Sequence, residues 1–252
     1  MVKLKRLLCA CTCLLLQAVV SAAQNTIHVP ADQPTIQGGI DSAQNGDTVL
    51  VAPGTYSESI NFHGKSITVT SGATSSSQAA HTIITPAPAT SVVTFNTAES
   101  RGAVLNGFTL RGYQQSVQNA LTIAAGVYIS GASPTVSNNI ITQNGCGVYI
   151  DNLGSPVLSG NDIDGNSYDE GSCHGANGDG VVIRSAGEVS LLNDEIINNQ
   201  ANDAGSGGGI VALSEKALRL IGNVVLNNSN SSIRGSFRVC TLPTIVAAAI
   251  SW

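Results

Sequence analysis

Four segments of this chain are copies of one pattern, and that periodicity limits the available folds more than any other feature. They are GVYISGASPTVSNNIITQN (126–144), GVYIDNLGSPVLSGNDIDGN (147–166), GVVIRSAGEVSLLNDEIINN (180–199) and GIVALSEKALRLIGNVVLNN (209–228). Each begins with Gly and an alternating β run, then passes a small or polar turn. A second β run reaches an Asn or Asp, and a third short apolar run ends in Asn. Three brief strands in roughly twenty residues describe one coil of a parallel β-helix, whereas a four-strand propeller blade needs about twice that length.

Strand alternation sets the directions of the side chains. Val127, Val148, Val181 and Ile210 point one way, and Ile129, Ile150 and Ile183 follow on the same side as an internal aliphatic ladder. No coil buries its apolar face alone, so the stack supplies the core. Asn139, Asn161 and Asn223 occupy one aligned position, with Asp194 in the third unit, and Asn144, Asn166, Asn199 and Asn228 close the units. These asparagines are expected to take the left-handed backbone of sharp turns and to bond coil to coil through their amides.

Upstream, the runs Thr48–Ala52, Ser66–Thr70, Thr82–Thr85, Val92–Phe95 and Val104–Leu110 are β-rich and separated by Gly, Pro or Ser turns. Before them, DQPTIQGGIDSAQNG predicts one short helix. Pro34 sits early, Ile36, Ile40 and Ala43 share a face, and Asn45-Gly46 gives the stop. Such a helix covers the first coil, whose unpaired strand edges would otherwise template aggregation. The expected layout is thus an all-β, single-stranded right-handed parallel β-helix (47–228) behind an N-terminal strand and capping helix (24–46). After Asn228 the pattern dissolves into an irregular tail (229–252), either a cap or the mark of a truncated or frameshifted copy.

Residues 1–23 read as a secretory signal peptide: Lys3, Lys5 and Arg6, an apolar run from Leu7 to Val20, then small residues for cleavage. That run falls short of the roughly 20 residues a membrane span needs, so a secreted, periplasmic or cell-surface location is expected. Three of the six cysteines leave with the signal, and Cys146, Cys173 and Cys240 remain. A formal charge of −5 and the lack of a basic run argue against nucleic acid. The mature chain has no Met, and His28, His63, His81 and His174 are scattered, which disfavours copper.

The stretch IHVPADQPTIQGGIDSAQNGDTVLVAPGTYSESINFHGKSITVTS resembles the opening of the pectin-lyase-like right-handed β-helix superfamily. Its G-D-T-V-x-V-x-P-G-T-Y-x-E-x-I pattern at 46–60 is structural, with Asp47, Pro53, Gly54 and Tyr56 shaping the first turn. The repeats from 126 onward resemble parallel β-helix repeats of the same superfamily. The resemblance implies the fold and leaves activity open, since superfamily members include lyases, esterases, hydrolases, epimerases and non-enzymatic modules. The esterase pattern around G-x-x-D-F-I-F-G, the paired Asp-Asp of polygalacturonases and the Arg pattern of pectate lyases are all absent.

Two groups of residues remain as candidates. On the outer face of the first run, Tyr128 and Tyr149 form an aromatic step one coil apart, about 4.8 Å, with Asp151 and Arg184 beside them. Aromatic faces suit sugars, and Arg holds a carboxylate in a two-pronged contact. Tyr128 and Tyr149 are therefore the substrate-binding candidates. The resemblance makes Arg184 with Asp151 the catalytic candidates for a lyase-like elimination. The bland alternative is cross-strand Tyr stacking plus an Asp–Arg ion pair.

The second group lies in two insertions, 167–179 and 200–208, which follow the closing Asn of successive units. Stacking would gather Asp169, Glu170, Asp179 and Asp203 into an oxygen-rich pocket suited to calcium, or leave them as a solvated turn. No resident cofactor is otherwise required. Cys146 and Cys173 lie on one turn side and form the expected disulfide. Together these features predict a monomeric, exported protein that binds an acidic polysaccharide or cell-surface glycan and processes it at most as a lyase or epimerase. The alternative is a structural, adhesive or assembly module.

Overall fold

The computed structural model describes residues 23–86, 90–112, 123–167, 180–201, 208–213, 216–229, 233–235, 246–247 and 250–251. Their strands build three sheets, every pairing parallel. Each coil contributes one strand to each sheet. In the coil at 125–142, Ala125–Ser130 enters sheet C, Thr135–Ser137 sheet A and Ile140–Thr142 sheet B. Register is set by the two-residue side-chain period, since a slip of one residue would turn the aliphatic set outward.

The interior is a set of aliphatic columns. In sheet C, Val93, Val127, Val148, Val181, Ile210 and Ile233 stand in register, each at most 1% exposed. Val69, Leu105, Val136, Leu158, Leu191 and Leu220 line sheet A, and Ile84, Leu110, Ile141, Ile163, Ile196 and Val225 line sheet B. Each such side chain contributes about 1.5–3 kcal/mol by leaving water, an amount no single coil could collect. In the early coils Phe62 and Phe95 fill the same space, ring centres 4.4 Å apart.

Both asparagine ladders form. Asn139 Nδ2 donates to Asn161 Oδ1 (3.1 Å) and Asn161 Nδ2 to Asp194 Oδ1 (2.8 Å). Asn144, Asn166, Asn199 and Asn228 link in the same way at 2.9–3.0 Å. The left-handed backbone, however, belongs to the preceding residue and not to the ladder asparagine. Asn138, Gly160, Asn193 and Gly222 on one turn, and Gln143, Gly165, Asn198 and Asn227 on the other, have φ between 53 and 67°. The turn and the inward amide are thus separate jobs given to neighbouring residues. The glycines that open the repeats have another cause: a Cβ on Gly147 would stand 2.5 Å from the Gly180 carbonyl oxygen of the next coil.

The helix spans Ile36–Ser42 and packs Ile36 and Ile40 inward, with Ala43 behind them. The opening motif holds it at both ends. Glu58 accepts from the Ile36 and Gln37 N–H groups, and the Thr35 hydroxyl from Gly38 N–H, which satisfies donors at the positive helix end. Lys65 Nζ donates to the carbonyls of Ile40, Asp41 and Ala43. Asp47 accepts from Gln44 and Asn25 N–H groups, which hold its carboxyl below the usual range.

Two expectations change in detail. Val104–Leu110 is two strands, Val104–Asn106 in sheet A and Thr109–Arg111 in sheet B, parted at Gly107. The tail is not irregular throughout. Ile233–Gly235, Val246–Ala247 and Ile250–Ser251 pair in parallel with the strands before them. No described helix is long and apolar enough to cross a membrane; the expected signal peptide lies largely outside the described residues.

Candidate functional site

The outer face of sheet C carries two columns. One runs Thr94, Tyr128, Tyr149, Val182, Val211; one step on come Ser130, Asp151, Arg184 and Leu213. The strands that hold them follow directly from the Gly-Val-Tyr-Ile-type runs, whose alternate residues fill the core. All four residues singled out from the sequence therefore do meet on one face.

Their environment differs from that of a solvated sheet. Tyr149 is 1% exposed and packs with Ala125, Cys146 and Val182 in a second apolar cluster outside the solenoid interior, with Ile123 and Tyr128 against it. The Tyr128 and Tyr149 rings meet at 5.9 Å, tilted by 55°. An open two-ring sugar step is thus not what the strands build. Tyr128 is half-buried and presents what remains of the platform, while Tyr149 backs it.

Arg184 also has a partner other than the one expected. Its guanidinium hydrogen-bonds Tyr149, whose phenol is pushed up by burial and pulled back by that contact. Asp151 stands one strand away from Arg184 on the same outer face. Asp151 Oδ1 is buried and has no hydrogen-bond partner among the described residues. Two large apolar side chains flank this point. Leu213, paired with Arg184, is 39% exposed, and Leu153, two residues beyond Asp151, is 61% exposed. Leu153 has φ 65° and Asn152 φ 51°, a left-handed pair that for leucine is sterically costly.

The insertions leave and rejoin the solenoid at one place. Ser167 bridges Gln200, and Gly180 N–H donates to Gly208 O at 3.0 Å, so the bases of the two are stacked. The calcium candidates Asp169, Glu170, Asp179 and Asp203 lie outside the described residues. Among those described, no group of three or more His, Cys, Asp or Glu could hold a metal. Cys146 is disulfide-bonded; Cys173, its expected partner, lies outside the described residues.

Sequence reasoning passed over sheet A, where a groove of roughly 440 Å³ opens between Arg101 and Arg219. The signal was there in the second runs of the repeats. PVLS, EVSL and ALRL align Val157, Ser190 and Arg219 as one outward column.

The family description "right handed beta helix region" matches residues 89–236, more than half of the chain. The chain belongs to the right-handed β-helix family. That match spans the repeats, the sheet C columns and the sheet A groove together. Among solved structures the β-helix resembles a mutant pectin methylesterase bound to a hexasaccharide, at 11% identity and TM-score 0.42, covering 89% of this chain and 92% of that one. A second pectin methylesterase–hexasaccharide complex is similar at 12% identity and TM-score 0.40, covering 85% and 81%. No curated protein matches by sequence.

Proposed function

We propose that this β-helix protein is exported and binds an acidic polysaccharide on the outer face of sheet C, without turning it over. The observation that carries the reading is Asp151 Oδ1, a buried carboxylate oxygen with no partner among the described residues, beside Arg184 on the next strand. A buried acceptor left unpaired is costly, and a sugar hydroxyl would satisfy it. The adjacent guanidinium suits a uronate carboxylate in a charge-assisted contact.

Tyr128 supplies the apolar contact for the ring C–H face, stiffened from behind by Tyr149. Leu153 and Leu213 wall the same spot, and the strained, exposed Leu153 is the kind of backbone outlier that clusters at binding sites. Arg184 is assigned to binding, since its guanidinium offers a fork of donors to a carboxylate. Export rests on the pattern of residues 1–23.

The test is isothermal calorimetry of oligogalacturonate with the whole mature protein, run beside an absorbance assay for unsaturated product. Arg184→Gln should weaken binding by about tenfold or more, the worth of one charged hydrogen bond. Asp151→Ala should weaken it less. Wild-type affinity in both variants would sink the assignment, and accumulation of unsaturated sugar would replace a binding module with a lyase.

A further inference from the structure

The outer face of sheet A carries a groove that the sheet C reading leaves unused. Its floor is the column Val157, Ser190, Arg219, with Leu192 alongside. Arg101 enters from the turn ahead of Val104–Asn106, where its carbonyl accepts the Thr135 hydroxyl at 3.2 Å. Arg101 and Arg219 are exposed, and neither is in a salt bridge among the described residues.

We propose that this groove is a second binding site, specific for an anionic saccharide bearing carboxylate or sulfate groups, gripped between Arg101 and Arg219. Charge complementarity identifies the ligand. The chain has a net charge of −5, yet among the described residues that line this groove Arg101 and Arg219 outnumber the one acid, Glu188. Asp162, Asp164 and Glu195 lie on another wall, in sheet B. Two guanidinium groups that form no salt bridge with a described acid match a planar carboxylate or a sulfate.

The remaining lining separates a sugar from a plain anion. Val157 and Leu192 give an aliphatic floor for ring C–H groups. The Ser190 hydroxyl and the Glu188 carboxylate, neither bonded through its side chain to a described residue, supply a donor and an acceptor for hydroxyls. The groove crosses strands, so it runs along the solenoid axis, and an extended chain lying in it meets a new coil every ~4.8 Å. This site stands independently of sheet C, since it lies on a different wall and shares no residue with it.

The experiment titrates the whole mature protein by calorimetry with oligogalacturonate, chondroitin sulfate, fully methyl-esterified oligogalacturonate and poly-glutamate. Arg101→Gln and Arg219→Gln should each weaken one class of site for the charged saccharides about tenfold, with the thermal unfolding midpoint unchanged because both residues are exposed. Arg184→Gln should leave that class intact, so failure of the sheet C reading does not touch this one. Preference for oligogalacturonate assigns the ligand as a uronate and preference for chondroitin sulfate as a sulfated chain. Equal binding of the methyl ester, tighter binding of poly-glutamate, or wild-type affinity in the double variant Arg101→Gln/Arg219→Gln would each overturn the proposal.

Discussion

Two columns of buried side chains run through the repeats, and they differ at one position. At the sheet B-to-C turn, Asn166 Oδ1 accepts both N–H and Nδ2–H of Asn144, and Asn199 and Asn228 repeat the arrangement. The second amide hydrogen of each goes to a strand carbonyl: Leu110, Ile141, Ile163 and Ile196 in turn. At the sheet A-to-B turn the third rung is Asp194. It accepts from Asn161 as an asparagine would and takes Leu192 N–H on Oδ2. It reaches Asn223 only through its backbone N–H. A carboxyl of the same shape keeps the acceptor half of the rung, loses the donor half and adds a charge that burial disfavours.

The complete ladder should break hardest. Asn166→Ala removes four buried hydrogen bonds: it strands the Asn144 N–H and the Ile141 carbonyl, and takes one partner each from the Asn144 amide and from Asn199 Oδ1, which keeps the backbone N–H of residue 166. At about 1–3 kcal/mol for each orphaned group, relieved in part by relaxation, the loss is on the order of 4 kcal/mol. Asn223→Ala strands only the Asp194 N–H and the Leu191 carbonyl and should cost about half as much. Urea unfolding of the two variants orders them, and equal losses would mean that the ladder is not additive rung by rung.

Asp194→Asn should run the other way. Burial raises the Asp194 carboxyl to about 7, against the pull of the Asn161 and Leu192 bonds. Between about pH 4 and pH 7 the unfolded chain ionises this residue while the folded one keeps its proton, so stability falls as pH rises through that window. Asparagine removes the penalty and restores the missing donor, and offsets part of that gain by losing the acceptor that holds the Leu192 N–H. The variant should therefore gain on the order of 3 kcal/mol at pH 8 and little at pH 4. A gain independent of pH would assign the effect to the donor alone.

The ladders and the aliphatic columns were legible in the sequence because each repeats with the coil, and the capping helix because Pro34, the Ile36–Ile40 face and the Asn45-Gly46 stop mark it. The burial of Tyr149 was not. Alternation tells which face a residue is on, and nothing in the strand says whether that face is covered. The groove was missed for a related reason. Arg219 lies in the readable repeats, but Arg101 lies far upstream in a turn of a less regular coil, and only stacking brings the two to one groove. The opening motif was recognised as structural, yet the roles of Glu58 and Lys65 as caps on the helix needed contacts across more than twenty residues.

Asp162 tests whether the physics of Asp194 extends to a half-exposed acid. Its carboxyl is raised to about 6, first by burial and then by Asp164 and Glu195, the latter directly across the strand pair. Like Asp194 it holds a proton in the folded state that the unfolded chain gives up, so its contribution to stability falls as pH rises from about 4 to 6. Water reaches this site and screens the neighbouring charges, so Asp162→Asn should gain under about 1 kcal/mol at neutral pH. Salt separates the two acids. The part of the Asp162 shift that comes from Asp164 and Glu195 should shrink as ionic strength rises, whereas the Asp194 gain, which burial alone creates, should not. Thermal melts of both variants at pH 8 in low and high salt read this directly, and matching salt dependence would mean that one cause governs both sites.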